Sequence, residues 1–184
     1  MKIMSRDNSL LRQARAVRDG KVDDLIFVEG LRLSSEALRS NLQIEAVIVS
    51  EELSRKERVA GTIAELSQAS RRVASVSEKL LESISYTKTP QGIVVLARRP
   101  EASEERIASS LTAKPLLVVL HQINNPVNVG AILRTAEAVG ATGIITTKNT
   151  TDPFSPKALR GAMGSAFRLG IWPNTDLTDV VAWC

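Results

Sequence analysis

A continuous apolar run opens the second half of the chain and limits what this region can fold into. The run spans residues 115–121 (PLLVVLH) and is typical of a strand that is covered on both faces in a parallel sheet. A loop, a helix ending before Gly140 and a second strand at residues 141–147 follow it. Strand, helix and strand over about thirty residues form a βαβ unit. The region is therefore predicted to have an α/β fold with a parallel sheet.

The helix of this unit is predicted to span residues 129–139. Apolar residues at helical spacing assign its buried stripe to four positions: Ile132, Thr135, Ala136 and Val139. The pattern then repeats, because Ser155 is a helix cap followed by proline and opens a helix over residues 156–167. A third strand is predicted at residues 168–172.

A last helix begins near Thr175 and continues to the end of the sequence. A parallel sheet of three strands normally needs both faces covered, and Val180, Val181 and Trp183 have no evident partner in such a sheet. We therefore expect residues 115–184 to be the N-terminal part of a truncated domain.

The first hundred residues show the same alternation on a smaller scale. Apolar and β-branched segments predict strands at residues 25–30, 45–50, 71–75 and 92–97. Helical periodicity lies between them, with Ser77 as the cap of a short helix. This predicts a small α/β domain over residues 1–97. Residues 98–114 are polar and bounded by two prolines, so we interpret them as a linker with room for a helical turn or two.

Composition indicates a soluble globular protein. Of 184 residues, 43% are hydrophobic and 24% are charged. No apolar run approaches the roughly 20 residues that cross a bilayer, and the N-terminus lacks the apolar core of a signal peptide, so we expect a cytoplasmic protein. One histidine, His121, and one cysteine, Cys184, exclude an intrachain disulfide and leave a His/Cys metal site short of ligands.

The net charge of +4 is compatible with a polyanionic partner, and its distribution is uneven. Basic residues are concentrated near the N-terminus: Lys2, Arg6, Arg12, Arg15, Arg18 and Lys21. Arginine pairs at residues 71–72 and 98–99 add to them. Solvated helix faces and phosphate contacts are both open interpretations. Two Trp, one Tyr and three Phe are too few for a sheet that stacks RNA bases, so charge and shape would dominate RNA binding.

The segment most informative about chemistry follows the apolar run, at the carboxyl end of a parallel strand, where α/β sheets bind ligands. Asn128 can cap a helix, and Gly130 lets another backbone or a phosphate approach closely. Arg134 lies in an otherwise apolar helix and needs an anionic or carbonyl partner. An internal ion pair and a phosphate contact are both open for Arg134. No G-x-G-x-x-G follows the strand, which disfavours a dinucleotide fold.

The sequence of this segment resembles a known family. Residues 125–146 (NPVNVGAILRTAEAVGATGIIT) look like the first conserved motif of the SpoU/TrmH family of the SPOUT class, and residues 152–172 resemble the segment that follows it. Upstream, SRDNSLLRQARAV, FVEGLRLSSEAL and TKTPQGIVVLA are similar to the substrate-binding domain of many members, which resembles certain large-subunit ribosomal proteins. The resemblance covers nearly the whole chain.

The resemblance implies a ribosomal-protein-like substrate-binding domain followed by part of a Rossmann-like SPOUT domain. It implies methyl transfer from S-adenosylmethionine to a ribose 2′-hydroxyl of structured RNA. Ribosomal RNA is favoured because the first domain is similar to that of ribosomal-RNA-modifying relatives. The family's catalytic arginine falls on Arg134 and its motif asparagine on Asn128. A homodimer is expected for the complete protein.

The family's second and third motifs, which form the knot that holds the cofactor, are expected after residue 184. We therefore expect the cofactor contacts to lie there and the 184-residue chain alone to be inactive. An RNA-binding module without methyltransferase activity is the alternative. A nucleotide-dependent oxidoreductase is supported by the fold class only.

Three further cations are candidates for RNA contact. Lys157 and Arg160 follow the Ser155 cap, and Arg32 follows the FVEG turn; solvated surface positions are the competing interpretation for all three. Gly161 and Gly164 weaken a helix, which indicates close backbone packing rather than chemistry.

Overall fold

The computed structural model describes residues 1–183, and Cys184 lies outside the described residues. The chain divides into two compact units, Met1–Arg99 and Pro100–Cys184. Within residues 1–183 no helix combines the length and the apolar composition that crossing a membrane requires.

The first unit is an α/β structure with one mixed sheet. Its strands are β1 (Leu25–Glu29), β2 (Ile44–Ser50), β3 (Val73–Val76) and β4 (Ile93–Arg98). Its helices are α1 (Ser9–Arg18), α2 (Leu31–Arg39), α3 (Glu51–Ser54), α4 (Glu57–Ala69) and α5 (Glu78–Ile84). The strand order is β1-β4-β2-β3, and β4 runs antiparallel to both of its neighbours while β2 and β3 are parallel. The predicted alternation of strands and helices is confirmed.

The core of this unit forms where apolar helix faces cover the sheet. In α1 the residues at helical spacing are the buried ones: Leu10, Leu11, Ala14 and Val17. They pack in one cluster with Phe27 of β1, Ile48 of β2 and Leu81 of α5. The cap predicted at Ser77 is present, since its hydroxyl accepts the Leu80 N–H at 3.4 Å.

The second unit contains a parallel sheet of three strands. Its elements are α6 (Glu104–Ala108), β5 (Leu117–Leu120), α7 (Pro126–Ala138), β6 (Gly143–Thr147), α8 (Pro156–Ala162), α9 (Ser165–Arg168), β7 (Gly170–Thr175) and α10 (Leu177–Trp183). The strand order β5-β6-β7 follows the chain, and both pairings are parallel. The predicted βαβ unit and its repeat are therefore present.

The last helix is not without partners, contrary to the expectation from the sequence. Val180 is buried against Ile107 and Ile145, and Trp183 meets the Trp172 ring edge-on with centroids 5.6 Å apart. Only Val181 of the three residues points to solvent, with 70% of its surface exposed. Ile107 lies in α6, inside the segment interpreted as a linker, so this part of the segment packs in the second unit.

The helix predicted over residues 156–167 is two helices. Met163 adopts a left-handed backbone (φ 53°) and Gly164 follows with φ 99°, so α8 ends and α9 begins across these two residues. Gly164 is therefore needed for its backbone conformation. The cap at Ser155 is in the predicted place, but its side chain makes no capping hydrogen bond.

Helix α7 buries a different face from the predicted one. It begins at Pro126, and its buried residues are Val129, Gly130, Leu133 and Ala136. Of the predicted stripe, Ala136 is buried, while Val139 is 62% exposed and lines an open apolar pocket with Ile132 and Thr135. The apolar spacing in the sequence does not identify this buried face, because α7 packs against helix α8 as well as against the sheet.

That second contact is a close approach of two backbones. A Cβ added to Gly130 would lie 2.4 Å from the Ala158 carbonyl oxygen and 2.8 Å from the Gly161 Cα. A Cβ on Gly161 would lie 3.2 Å from the Gly130 Cα. The close packing predicted for Gly161 is thus present, and Gly130 faces a helix backbone.

We predict that Gly130→Ala lowers the free energy of unfolding of the second unit by roughly 1–3 kcal/mol, because the methyl group overlaps backbone that cannot rotate away. Urea unfolding followed by tryptophan fluorescence measures it, since both tryptophans, Trp172 and Trp183, lie in this unit. Gly61→Ala in α4 is the control: its Cβ meets nothing within 4 Å. That change should stabilise α4 by about 0.5–1 kcal/mol, measured by circular dichroism. An unchanged midpoint for Gly130→Ala would contradict the packing argument.

Candidate functional site

The loops at the carboxyl ends of β5 and β6 hold the start of α7. The Thr151 hydroxyl donates to the Asn124 carbonyl at 2.7 Å, and the Thr150 hydroxyl donates to the Leu120 carbonyl at 3.0 Å. Asn125 caps α7, accepting the Val127 N–H at 2.9 Å. The helix that carries the candidate residues is therefore fixed at its N-terminus.

Arg134 is exposed on α7 and makes no hydrogen bond or ion pair with any of residues 1–183. The acidic residue one turn further along α7, Glu137, is already engaged. Glu137 accepts the Ser165 hydroxyl at 2.6 Å and the Arg168 Nε at 2.5 Å. The internal ion pair that the sequence left open for Arg134 is thus formed by Arg168 instead, and the Arg134 guanidinium is free for an external anion.

Glu137 is stabilised as a carboxylate. The hydrogen bond from Arg168 holds the pKa of Glu137 below its ordinary value. Partial burial raises this pKa, but the Ser165 hydrogen bond and the Arg168 charge lower it further. Glu137 is therefore ionised at neutral pH and paired with Arg168.

Asn128 does not cap the helix. It is the third residue of α7, is exposed, and its side chain makes no hydrogen bond within residues 1–183. At 1.5 Å and 100° per residue, Arg134 lies about 9 Å further along the axis and about 120° around it. The structure therefore places Asn128 and Arg134 on different flanks of one helix rather than side by side.

Arg134 lies on the flank of α7 nearer to α8. It follows Gly130, the α8 contact, by four residues, which is about 40° around the helix. Lys157 and Arg160 lie three residues apart on α8, both exposed and without ion-pair partners among residues 1–183. Three unpaired cations are thus carried by two packed helices.

Arg32 lies in the first unit, in the first turn of α2, and is exposed without an ion-pair partner in the described part of the chain. The loop next to this turn is held by the buried Glu29. Its carboxylate accepts the Tyr86 N–H at 3.0 Å and the Thr87 hydroxyl at 2.7 Å. The position of Arg32 is fixed, whereas its side chain is free.

The arginine pairs of the first unit serve the fold. Arg98 binds the buried Glu45 carboxylate at 2.9 Å, and Arg71 lies 3.7 Å from the same group. Arg72 donates to the Gln13 side chain at 2.8 Å. These contacts favour a structural role over phosphate binding for the two pairs.

The polar side chains of the sheet edge are used internally. Thr147 Oγ1 lies 3.0 Å from His121 Nδ1 and accepts the Gln122 N–H at 3.3 Å, while Thr150 and Thr151 bind backbone carbonyls. Residues 1–183 contain no group of three His, Cys, Asp or Glu side chains able to hold a metal ion. The internal hydrogen bonds thus fix the threonines at this edge of the sheet.

Sequence reasoning missed the Glu137–Ser165–Arg168 cluster. The spacing in the sequence indicates a different pair, because Glu137 follows Arg134 by three residues and residues at this spacing meet on a helix. The pairing with Arg168 instead depends on tertiary contacts of α7 with α9.

Two protein-family models match parts of this chain. Residues 115–184 match the model of the SpoU rRNA methylase family, and residues 10–95 match that of the MRM3-like substrate binding domain. The two parts of the chain therefore match a SpoU methylase domain and an MRM3-like substrate-binding domain. The predicted resemblance to SpoU/TrmH methyltransferases and the α/β fold class, with a substrate-binding domain before a parallel-sheet SpoU domain, are confirmed.

Curated SpoU/TrmH relatives include the mitochondrial rRNA methyltransferase 3A of Danio rerio, 32% identical over 183 residues. The alignment covers 95% of this chain and 40% of that protein. The 23S rRNA (guanosine(2553)-2′-O)-methyltransferase RlmP of Bacillus subtilis is 29% identical over 79% of this chain and 52% of its own length. The chain thus spans about two fifths to one half of the length of these relatives.

A solved structure extends the likeness to the whole chain. The AdoMet-bound rRNA methyltransferase from Sinorhizobium meliloti superposes with a TM-score of 0.81 at 28% identity, covering 100% of this chain and 67% of that one. Both units therefore have the fold of the matching part of that rRNA methyltransferase.

We predict that Glu137→Gln lowers the free energy of unfolding of the second unit at neutral pH by about 0.2–1 kcal/mol, the range of partly exposed ion pairs. Because the folded-state pKa of Glu137 is depressed, this stabilisation is present above the unfolded-state pKa and is lost as the pH falls through the folded-state pKa. The difference from wild type should therefore vanish in acid. Urea unfolding at several pH values, followed by tryptophan fluorescence, measures it.

The control for this prediction is Glu101→Gln, which removes an exposed carboxylate of the same unit that has no ion pair in residues 1–183. Equal pH dependence of Glu137→Gln and wild type would show that the ion pair contributes nothing.

Proposed function

We propose that the protein, in its natural full length, transfers a methyl group from S-adenosylmethionine to a ribose 2′-hydroxyl of structured RNA, with ribosomal RNA as the substrate. The observation that carries this proposal is the free guanidinium of Arg134 at the family's catalytic position. The names of the relatives and the structural likeness to an AdoMet-bound rRNA methyltransferase support the reaction, the RNA class and the cofactor.

Arg134 is proposed to act on the acceptor ribose. Its planar guanidinium offers several N–H donors, so one edge can grip a neighbouring phosphate while another faces the 2′-oxygen. This contact aligns the hydroxyl and lowers the energy of the alkoxide that develops as its proton passes to solvent water. S-adenosylmethionine, when bound, supplies the electrophilic methyl group.

Asn128 is proposed as the second residue of the site. Its exposed amide carries both a donor and an acceptor and is not used within residues 1–183. Because it lies on another flank of α7, it would contact a different part of the substrate from the phosphate bound by Arg134.

Lys157, Arg160 and Arg32 are proposed to contact RNA phosphates. The first two lie on α8, which packs against the helix that carries Arg134. Their exposure and lack of internal ion pairs in the described chain support phosphate binding, because no internal ion pair has to break before a phosphate binds.

Two further parts of the proposal concern the whole protein. We propose a homodimer, because the family resemblance implies one. We propose a cytoplasmic location, supported by the bacterial origin of RlmP, although the zebrafish relative is mitochondrial by name.

Replacing Arg134 tests the catalytic assignment. In the full-length protein, Arg134→Ala should lower the rate of methyl transfer to ribosomal RNA by about a hundredfold to a thousandfold, as when one donor to a developing oxyanion is removed. Arg134→Lys should restore little, because an ammonium cannot bind two oxygens in one plane. The measurement is transfer of labelled methyl groups under single-turnover conditions.

The matched control is Arg106→Ala, which removes an exposed arginine from α6 in the same unit and should leave the rate unchanged. Full activity of Arg134→Ala would overturn the assignment. Absence of methyl transfer by wild type, together with tight RNA binding, would favour an RNA-binding module without methyltransferase activity.

The two cations of α8 are tested by salt dependence. Each phosphate contact contributes about 0.7–0.9 to the slope of log affinity against log salt concentration. Lys157→Ala with Arg160→Ala should therefore reduce this slope by roughly 1.4–1.8, measured by fluorescence anisotropy with a labelled ribosomal RNA stem-loop. An unchanged slope would place both residues on a solvated face. Arg32→Ala alone should reduce the slope by about half as much.

A further inference from the structure

A basic groove lies in the first unit, between the N-terminal segment and α5. It consists of two adjoining hollows that share Arg6 and Lys79, and the larger has a volume of about 440 Å³. Lys2 and Glu51 line the larger hollow, and Glu82 lines the smaller one. We call this surface the Arg6–Lys79 groove.

The two shared cations are free. Arg6 and Lys79 are exposed and make no ion pair with residues 1–183. The acidic residue of the larger hollow is neutralised, since the Glu51 carboxylate lies 2.8 Å from Lys2 Nζ and 3.7 Å from an Arg55 nitrogen. Glu82 in the smaller hollow offsets one of the two free cations, so the groove still presents a net positive charge to a ligand that enters it.

The backbone at Arg6 is held in place. Arg15 Nη2 donates to the Arg6 carbonyl at 2.8 Å, and the Asn8 N–H donates to the Ser5 carbonyl at 3.3 Å. The Ser5 hydroxyl accepts the Asp7 N–H at 3.2 Å. These contacts fix the turn on which Arg6 stands, so its side chain projects from a rigid support although the segment precedes the first helix.

The sequence left two roles open for the N-terminal cations, a solvated helix face or phosphate contact, and the structure gives Arg15 and Arg18 internal partners. Arg18 binds Asp19 and the carbonyl oxygens of residues 84 and 85, and Arg15 holds the Arg6 turn. These two serve the fold. Among the basic residues near the N-terminus, Arg6 lines both hollows of the groove.

We propose that the Arg6–Lys79 groove binds the sugar-phosphate backbone of the RNA substrate, as a second contact separate from Arg32 and from the cations of α7 and α8. The proposal rests on the proposed function, since it names where the first unit holds the RNA. A phosphate chain is narrow and negatively charged along its length, and it can enter a hollow and meet Arg6 and Lys79 in turn. A bilayer is flat and does not enter a hollow, so RNA fits better than an anionic membrane, despite the exposed Met1 and Met4 beside the groove.

The test uses the 184-residue chain with Arg6→Ala and Lys79→Ala combined. Both side chains are exposed and unpaired within residues 1–183, so the melting temperature should not change. Affinity for a fluorescein-labelled ribosomal RNA stem-loop is measured by anisotropy between about 50 and 200 mM NaCl. The slope of log affinity against log salt should fall by roughly 1.4–1.8, for two lost phosphate contacts. Arg6→Lys with Lys79→Arg keeps both charges and should restore the wild-type slope.

The matched control is Arg58→Ala with Lys114→Ala, which removes the same net charge from exposed positions outside the groove and should leave the slope unchanged. An equal loss in this control would overturn the proposal, since net charge alone would explain the effect. A wild-type slope for the groove variant would also overturn it, while leaving methyl transfer by the Arg134 site intact. Lost binding to phosphatidylglycerol vesicles with unchanged RNA binding would assign the groove to a membrane instead.

Discussion

The close approach of α7 and α8 at Gly130 is the constraint on which the second unit depends. With no Cβ at this position, the Ala158 carbonyl can lie against the helix backbone, and α7 is fixed between the sheet and α8. This orientation decides what every other residue of α7 does. Val129, Leu133 and Ala136 face the core, Arg134 lies toward α8, and the flank carrying Ile132 and Val139 stays open. A glycine thus sets the direction in which the candidate catalytic cation points.

Charge pairing then decides which cations stay free. In α7 the single carboxylate, Glu137, is taken by Arg168 and Ser165, and Arg134 is left without an internal partner in the described chain. The same rule operates in the first unit, where Glu45 takes Arg98. Burial of a carboxylate requires hydrogen-bond or charge partners, and Glu45 and Glu137 obtain theirs from arginines. The cations that remain exposed are the ones available to an RNA backbone.

The sequence predicted the strands and helices well where one local pattern governs them, as in the apolar run of β5 and the amphipathic face of α1. It failed where two elements compete for one surface. The stripe assigned to α7 was wrong because apolar residues occur on two flanks and only tertiary packing selects between them. The break at Met163 and Gly164 was missed because a left-handed residue leaves no periodic signal. For the site, the motif located Arg134, but only the structure could show that Glu137 is paired elsewhere.

Asn128 and Arg134 lie on different flanks of α7, so each flank offers different chemistry to a ligand. Residues about 120° apart on a helix face different directions, so in the proposed function the two side chains would contact different parts of the substrate. The flank of Arg134 continues onto α8, where Lys157 and Arg160 supply further positive charge. The flank of Asn128 continues along Ile132 and Val139, which are apolar. A phosphate backbone fits the first flank and an uncharged group fits the second. In the proposed reaction, Arg134 is therefore the residue that would couple RNA binding to proton loss at the ribose.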